Sequence, residues 1–214
     1  MSLFENSLIQ RLQSRLKESL PGRDVQYQMA PESRKVREII AIKPKNPKPS
    51  SVLIALNRKE DRWVFPIMQR PEYDGMHSGQ ISLPGGKMEA SDKDRYHTAI
   101  RESSEEIGIN TEGLLILGEL TDIYVHVSDF NILPVVAYLP GVQEYHPDEE
   151  EVESVMEVGL DELLDDSRIK KTRIEIGPGI SIRTPYYDFH NKIVWGATAM
   201  ILSEFAHILR EINE

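Results

Sequence analysis

Three glutamates, Glu102, Glu105 and Glu106, are the residues whose types and spacing point most clearly to chemistry. At about 100° per residue they share one side of a helix, where three carboxylates repel one another. A helix that only had to be soluble would more often carry Lys or Arg among them, so the cluster indicates a bound cation. Hard oxygen ligands favour Mg²⁺ or Mn²⁺ over zinc. Arg101 lies one turn before Glu105 and is expected to orient it by a charge-assisted hydrogen bond. The alternative is an acidic helix face that is simply solvated.

The ends of this helix are also indicated by the sequence. Ser91 followed by Asp94 resembles a capping box, which predicts a start near Asp92, and Gly108 is placed to end the helix after Ile107. The opposite side is the packing face, formed by Tyr96, Ala99, Ile100, Ser103 and Ile107. A glycine turn, Gly85-Gly86, precedes the helix.

The remaining periodicity predicts a mixed α/β fold. Helical spacing occurs in an N-terminal amphipathic segment, Leu3 to Leu20, and in a C-terminal one, Ala197 to Ile212. The N-terminal helix is interpreted as a packing or dimerisation element, so a homodimer is one option. A turn-rich loop runs from Pro71 to Gly86. Strands are predicted at 52–57, 63–69, 114–124, 131–139, 152–158, 172–176 and 180–189.

Bulk composition limits the functional classes. With 214 residues, one main domain is the simplest expectation, and a formal net charge of −10 argues against nucleic acid as a partner. The absence of cysteine excludes disulfides and thiolate chemistry. No apolar stretch approaches the roughly 18 to 20 residues of a membrane span, and the first residues do not resemble a signal peptide. We therefore expect a cytoplasmic protein that does not bind membranes.

The acidic helix and its glycine turn resemble the Nudix box. That pattern reads Gly, five residues, Glu, seven residues, Arg-Glu, an apolar residue, any residue, Glu-Glu, any residue, Gly, apolar. Matching positions are Gly86, Arg101, Glu102, Glu105, Glu106, Gly108 and Ile109. Asp92 stands where the first Glu belongs, the following gap is one residue too long, and Ser103 occupies the apolar slot. Because Asp92 and the extra residue lie in the loop and first turn, they are expected to alter the loop more than the carboxylates.

Residues upstream of the box are similar to the motif of coenzyme A pyrophosphatases within the Nudix family. Matching positions are Arg70, Gly79, Pro84, Gly85 and Gly86, whereas Pro71, Gly75, Leu83 and Glu89 do not match. Gly75 replaces an Arg that would be an obvious partner for a substrate phosphate. Segments 134–136, 151–152 and 194–199 also look like this subfamily.

The resemblance implies an α/β/α sandwich with a mixed sheet, extended by the N-terminal helix. On that basis residues 1–34 form the helix and linker, and residues 35–214 form the hydrolase domain. The implied reaction is hydrolysis of a diphosphate in a small nucleotide-derived substrate, with Mg²⁺ or Mn²⁺ as cofactor. For coenzyme A or its thioesters, the products are 3',5'-ADP and 4'-phosphopantetheine or its acyl form.

The resemblance also implies roles for individual residues. Glu102 and Glu106 are the principal metal ligands, Glu105 is a further ligand or a water-mediated contact, and the Gly85 carbonyl completes the set. Arg101 supports catalysis by holding the acidic cluster.

The general base is less clearly marked. Glu151 is our candidate, with Glu149 and Glu150 as alternatives, although this acidic run also reads as a solvated loop. Arg70 and Lys87 are the candidates for contact with substrate phosphates, together with Gly86, and either side chain also reads as an ordinary surface residue.

Two other functions stay open. The same fold and metal would serve a hydrolase of ADP-ribose, dinucleoside polyphosphates or damaged nucleoside triphosphates. Gly75 and Pro71 depart from the coenzyme A pyrophosphatase motif and so leave this alternative open. A Nudix-fold sensor that binds a nucleotide without cutting it is the third. The intact glutamates speak against a sensor, since a pure binder has no need of a cluster that activates water.

Overall fold

The computed structural model describes residues 3–34, 46–72, 78–177 and 179–213, so Gly75 lies outside the described residues. Within them, the helices are α1 (Leu3–Arg15), α2 (Arg23–Gln26), α3 (Arg95–Ile107), α4 (Leu160–Leu164) and α5 (Gly196–Glu211). The strands are β1 (Lys48–Lys59), β2 (Arg62–Gln69), β3 (Ile81–Ser82), β4 (Gly85–Lys87), β5 (Leu115–Glu119), β6 (Ile123–Val125), β7 (Phe130–Tyr138), β8 (Ser154–Gly159), β9 (Ile169–Gly177), β10 (Ile180–Phe189) and β11 (Lys192–Val194). Short 3₁₀ turns cover Tyr27–Met29 and Asp166–Arg168.

The central sheet is mixed, as predicted. Its main path runs β3-β2-β1-β7-β5, while β4 pairs with β1, β6 with β7 and β8 with β2. Strands β1 and β7 are parallel, from the pair Lys48 and Phe130 to the pair Leu56 and Tyr138, and the other pairs of this sheet are antiparallel. A second sheet has the order β11-β10-β9.

Strand β1 is buried on both sides because helices cover both faces of the sheet. Leu53 and Ala55 belong to one apolar cluster, which includes Ala99 and Ile107 of α3. Ile54 and Leu56 alternate with them and belong to a second cluster, which includes the buried side chains of α5. The expected α/β/α sandwich is therefore confirmed.

The N-terminal helix packs onto the same core. Leu8, Ile9, Leu12 and Leu16 are buried in the cluster that contains α5. The helix ends at Arg15, several residues before the predicted end at Leu20.

The buried carboxylate of Glu204 in α5 links distant stretches of the chain. It accepts hydrogen bonds from Gly22 N at 2.9 Å, Gln26 Nε2 at 2.9 Å and Thr121 Oγ1 at 2.7 Å. Thr121 N adds a fourth at 3.2 Å. A buried carboxylate is tolerated when donors surround it in this way, so the N-terminal segment is fixed to α5 and to the turn after β5.

Two sequence predictions differ from the structure in this sheet. The strand predicted at 114–124 is divided into β5 and β6, with an irregular register between Ile116 and Gly118. A Cβ on Gly118 would lie 2.7 Å from Leu16 Cβ, so the divided strand approaches α1 closely. The loop predicted at Pro71 to Gly86 contains the short strand β3 and the first two residues of β4. No helix in the described part of the chain has the length and apolarity of a membrane span.

Candidate active site

The acidic helix α3 begins later than predicted. Its N-cap is Asp94, whose side chain accepts a hydrogen bond from His97 N at 2.8 Å, and the first helical residue is Arg95. The predicted start near Asp92 and the capping box at Ser91 are wrong, because Asp94 caps the helix with its own carboxylate. The predicted end is confirmed, since Gly108 adopts the left-handed conformation with φ 65°.

Asp92 has a larger role than its place in the loop indicated. Its side chain is 0% exposed and accepts two hydrogen bonds from Arg101, Nε to Oδ1 at 2.9 Å and Nη2 to Oδ2 at 3.0 Å. Glu89 N and Thr98 Oγ1 also donate to it, and His97 Nδ1 lies 2.9 Å from Oδ1. The Arg101 bonds, with help from these donors, hold the pKa of Asp92 well below its usual range. The expectation that this position affects mainly the loop is therefore corrected.

Arg101 in turn holds two of the three glutamates. Its Nη1 donates to Glu105 Oε2 at 2.7 Å, which confirms the predicted contact, and its Nη2 donates to Glu102 Oε1 at 2.9 Å. Nη2 also reaches the Lys87 carbonyl at 3.3 Å. One guanidinium anchored on a buried Asp92 thus fixes the glycine turn and the acidic face of α3 together.

Glu106 is the buried member of the acidic face. Its side chain is 3% exposed, Oε2 accepts from Gly85 N at 2.7 Å, and Oε1 lies 3.4 Å from Arg70 Nη2. Burial raises the pKa of Glu106 to about 7, a rise that Gly85 N–H and Arg70 oppose and that Glu102 and Glu151 increase. A carboxylate in this environment favours a cation beside it.

Glu102 lies next to this group. Its side chain is 15% exposed, and burial raises its pKa although Arg101 acts in the opposite direction. The negative charges of Glu105 and Glu151 also raise the pKa of Glu102. The negative charge of Glu151 raises the pKa of both Glu102 and Glu106, so its carboxylate lies within Coulombic range of the two.

The glycine turn has to be glycine because its backbone contacts both the sheet and α3. An added Cβ on Gly86 would lie 2.5 Å from the Glu102 carboxyl carbon. On Gly85, where φ is +146°, it would lie 2.3 Å from Ser51 O. Leu53 N donates to Pro84 O at 2.9 Å, and since ladder bonds alternate along an antiparallel pair, the carbonyl of Gly85 faces away from β1, as its N–H does.

These contacts predict different outcomes for alanine at the two glycines. Gly85→Ala should destabilise the fold by more than about 3 kcal/mol, because the new methyl group meets backbone atoms. Gly86→Ala should fold but lower kcat/KM roughly 10- to 100-fold, because only the flexible Glu102 side chain has to move. Urea unfolding and steady-state kinetics measure both effects. Gly177→Ala, which meets no atom within 4 Å, is the matched control. A Gly86→Ala enzyme with full activity would contradict the close approach.

The predicted site residues separate into two groups. The structure brings Glu102, Glu106, Gly85, Gly86 and Arg70 together, with Glu151 near them. The Glu105 side chain is 60% exposed and is turned to Arg101, and the Lys87 side chain is exposed. Glu149 and Glu150 precede Glu151 in the same turn, and all three are exposed.

The donor atoms of the acidic group fit a magnesium ion. Across the described ranges, no set of three His, Asp or Glu side chains converges as a metal-holding group. The Glu105 side chain is paired with Arg101 and is 60% exposed. The available donors are therefore two carboxylates and the Gly85 carbonyl. Such an open set fits Mg²⁺, which keeps several waters and binds through one or two carboxylates and the substrate's phosphates.

A cavity of about 490 Å³ adjoins the acidic group. Arg70, Gly85 and Gly86 lie on one side of it, and a residue from the N-terminal segment, Arg34, also lines it. Apolar side chains form much of the wall, including Val125, Phe130, Ile132, Ile182 and Trp195. The sequence did not mark most of these residues, because they come from separate strands and have no common spacing.

Comparisons with known proteins agree with this fold and show the family. The model of a family described as NUDIX domain matches residues 47–177, more than half of the chain. "Uncharacterized Nudix hydrolase NudL" of Enterobacter sp. (strain 638) is 34% identical over 161 residues, which are 75% of this chain and 82% of that protein. The protein of the same name in Yersinia enterocolitica is 31% identical over 170 residues, covering 75% of this chain and 85% of its own length.

A solved structure supports the fold alone. The Nudix hydrolase RenU from M. smegmatis has a TM-score of 0.52 and 11% identity, and covers 86% of this chain and 95% of that one. The family model and the two NudL relatives show that the chain belongs to the Nudix family. It is an enzyme of the Nudix pyrophosphohydrolase class, as the box predicted.

Proposed function

We propose that this enzyme hydrolyses the diphosphate of coenzyme A or its thioesters, with Mg²⁺ or Mn²⁺ as cofactor. The observation that carries the proposal is the buried Glu106 beside Glu102, placed against the Gly85-Gly86 turn at the edge of a large cavity. Water attacks a phosphorus of the diphosphate, and 3',5'-ADP and 4'-phosphopantetheine leave. A divalent metal, when bound, neutralises charge on the diphosphate and lowers the pKa of a coordinated water.

The protein's own residues divide the remaining tasks. Glu102, Glu106 and the Gly85 carbonyl would hold the metal, and Glu105, whose side chain is turned to Arg101, would contribute through water. Arg101 keeps Glu102 and Glu105 in position from its anchor on Asp92. Glu151, whose negative charge raises the pKa of both Glu102 and Glu106, takes the proton from the attacking water.

Substrate contacts follow from the walls of the cavity. Arg70 lines the cavity beside Glu106, and a guanidinium binds phosphate bidentately. Gly86 allows the substrate to approach the backbone. Lys87 supplies a more distant point charge from the exposed side of the turn. We assign these tasks to a domain of residues 35–214, to which residues 1–34 add the N-terminal helix.

The character of the cavity favours coenzyme A over the alternative substrates. ADP-ribose and dinucleoside polyphosphates are polar at both ends, whereas pantetheine and its acyl groups carry apolar chain. Burial of this apolar chain favours binding, because the cavity wall includes apolar side chains, namely Val125, Phe130, Ile132 and Trp195.

A substrate panel tests the proposal. The purified protein is incubated with Mg²⁺ or Mn²⁺ and coenzyme A, acetyl-coenzyme A, ADP-ribose, diadenosine polyphosphates or nucleoside triphosphates, and products are identified by mass spectrometry. We expect 3',5'-ADP and a phosphopantetheine, with kcat/KM highest for coenzyme A or its thioester. A higher kcat/KM for another compound would reject the substrate assignment, and binding without cleavage would support the sensor.

A further inference from the structure

Arg34 brings a cation from the N-terminal segment to the cavity. It lines the cavity together with His126 and Ser128, and its Nη2 donates a hydrogen bond to the carbonyl of Tyr124 in β6. It stands outside the stretch that matches the NUDIX domain, residues 47–177. Its contact to the cavity is thus an addition to the catalytic apparatus described above.

Arg34 is too far from the Gly85-Gly86 turn to contact the substrate phosphates that bind at that turn. Strands β1 and β7 lie between β4, which contains Gly85, and β6, which contains Tyr124. Three inter-strand spacings amount to about 14 Å. A substrate in this cavity therefore meets Arg70 at one position and Arg34 at another, so Arg34 calls for a second anionic group.

The surroundings of Arg34 favour an anion. Its guanidinium lies 5.8 Å from the centre of the Tyr27 ring, and that of Arg23 lies 4.7 Å from the same centre. Burial, and then repulsion by Arg23, lower the pKa of Arg34 to about 10, so it is still a cation at neutral pH. A guanidinium has five N–H donors, so Arg34 can keep the contacts it makes, the bond to Tyr124 among them, and also hold a phosphate.

We infer that Arg34 binds an anionic group of the substrate other than the diphosphate that is cut, and so determines specificity. The inference rests on the proposed function, under which this group is the 3'-phosphate of coenzyme A. The inference explains why a cation from outside the stretch that matches the family lines the cavity. It also gives the N-terminal segment a part in substrate choice.

Binding of two nucleotides tests the inference without any catalytic step. 3',5'-ADP and 5'-AMP differ only by the 3'-phosphate, and their Kd values are measured by calorimetry in buffer containing EDTA. We expect the unsubstituted enzyme to bind 3',5'-ADP at least about ten-fold more tightly, as a charged hydrogen bond provides. In Arg34→Gln this ratio should fall to within about three-fold, with the Kd for 5'-AMP little changed.

Two further variants separate charge, geometry and folding. Arg23→Gln removes a cation from the same aromatic ring but not from the cavity wall, so the ratio should be retained. Arg34→Lys keeps the charge without the planar fork and should give an intermediate ratio. It also serves if Arg34→Gln fails to fold, as checked by thermal unfolding. An unchanged ratio in the folded Arg34 variant, or an equal loss in Arg23→Gln, would overturn the inference.

Kinetics connect this result to the proposed function. The ratio of kcat/KM for coenzyme A to that for 3'-dephospho-coenzyme A should fall in Arg34→Gln by the same factor as the ratio of Kd values. If coenzyme A is not cleaved at all, the proposed function fails, while the nucleotide Kd values still decide whether Arg34 reads a second phosphate. Equal kcat/KM for both substrates in the unsubstituted enzyme would overturn the inference alone.

Discussion

Replacing Glu106 with glutamine is expected to lower kcat by more than about 100-fold, because even the partners that stand behind metal ligands contribute about 10- to 100-fold. The amide is nearly the same size as the carboxylate, and its oxygen can still accept the hydrogen bond from Gly85 N. The fold should therefore persist. The lost negative charge removes one of the two carboxylates available to the metal.

The measurement combines kinetics at saturating Mg²⁺ or Mn²⁺ with thermal unfolding and titration of Mn²⁺ by its paramagnetic signal. We expect a lost kcat, weaker Mn²⁺ binding and a melting temperature close to that of the unsubstituted enzyme. The matched control is Glu112→Gln, an exposed glutamate in the turn after α3, for which all three quantities should stay the same. A Glu106→Gln enzyme that turns over at the normal rate would defeat the assignment of the metal site.

The second large effect concerns stability. Arg101→Gln is expected to lower the free energy of unfolding by roughly 3 to 5 kcal/mol, the range observed when one partner of a buried ion pair is removed. The reason is Asp92, whose side chain has no exposed surface and takes two of its hydrogen bonds from Arg101. Activity should fall as well, since Glu102 and Glu105 lose the group that holds them.

Urea unfolding measures this effect, with Arg58→Gln as the control. Arg58 forms an exposed pair with Asp61, so its loss should change stability by less than about 1 kcal/mol. The double variant Asp92→Asn and Arg101→Gln should be more stable than Arg101→Gln alone, because the amide no longer buries an unpaired charge. Equal stability of Arg58→Gln and Arg101→Gln would show that the buried pair does not support the fold.

The same pair sets a pH dependence. The folded state lowers the pKa of Asp92, so its stabilising contribution is present above the unfolded value of about 3.9 and is lost as the pH falls below it. The stability difference between the unsubstituted enzyme and Asp92→Asn, which has no group that titrates at this position, should therefore be constant from about pH 8 to 5 and shrink below about pH 4.

Local patterns predicted much of the framework. The end of α3 at Gly108, the contact between Arg101 and Glu105, and the strands that became β1, β2, β7 and β10 all depend on residues close together in sequence. For such features, spacing and side-chain type contain nearly all the information. The family assignment followed from the same kind of pattern.

Features that depend on distant contacts were not predictable in this way. A helical wheel groups Glu105 with Glu102 and Glu106, yet packing against the sheet buries Glu106 and leaves Glu105 exposed. Asp92 looked like a loop residue because nothing local shows that Arg101 folds back onto it. Arg34 carries no motif, and its position becomes visible only once β6 and the cavity have formed.

The hydrogen bonds around Glu204 bear on how the chain should be shortened for experiments. A fragment that began at residue 47, where the family match starts, would lack the donors of Gly22 and Gln26. It would leave a carboxylate inside the protein with half of its partners and would uncover the side of α5 that Leu8 and Leu12 now shield. The N-terminal residues carry no catalytic motif, yet they stabilise the position of α5 against the domain that contains the acidic site.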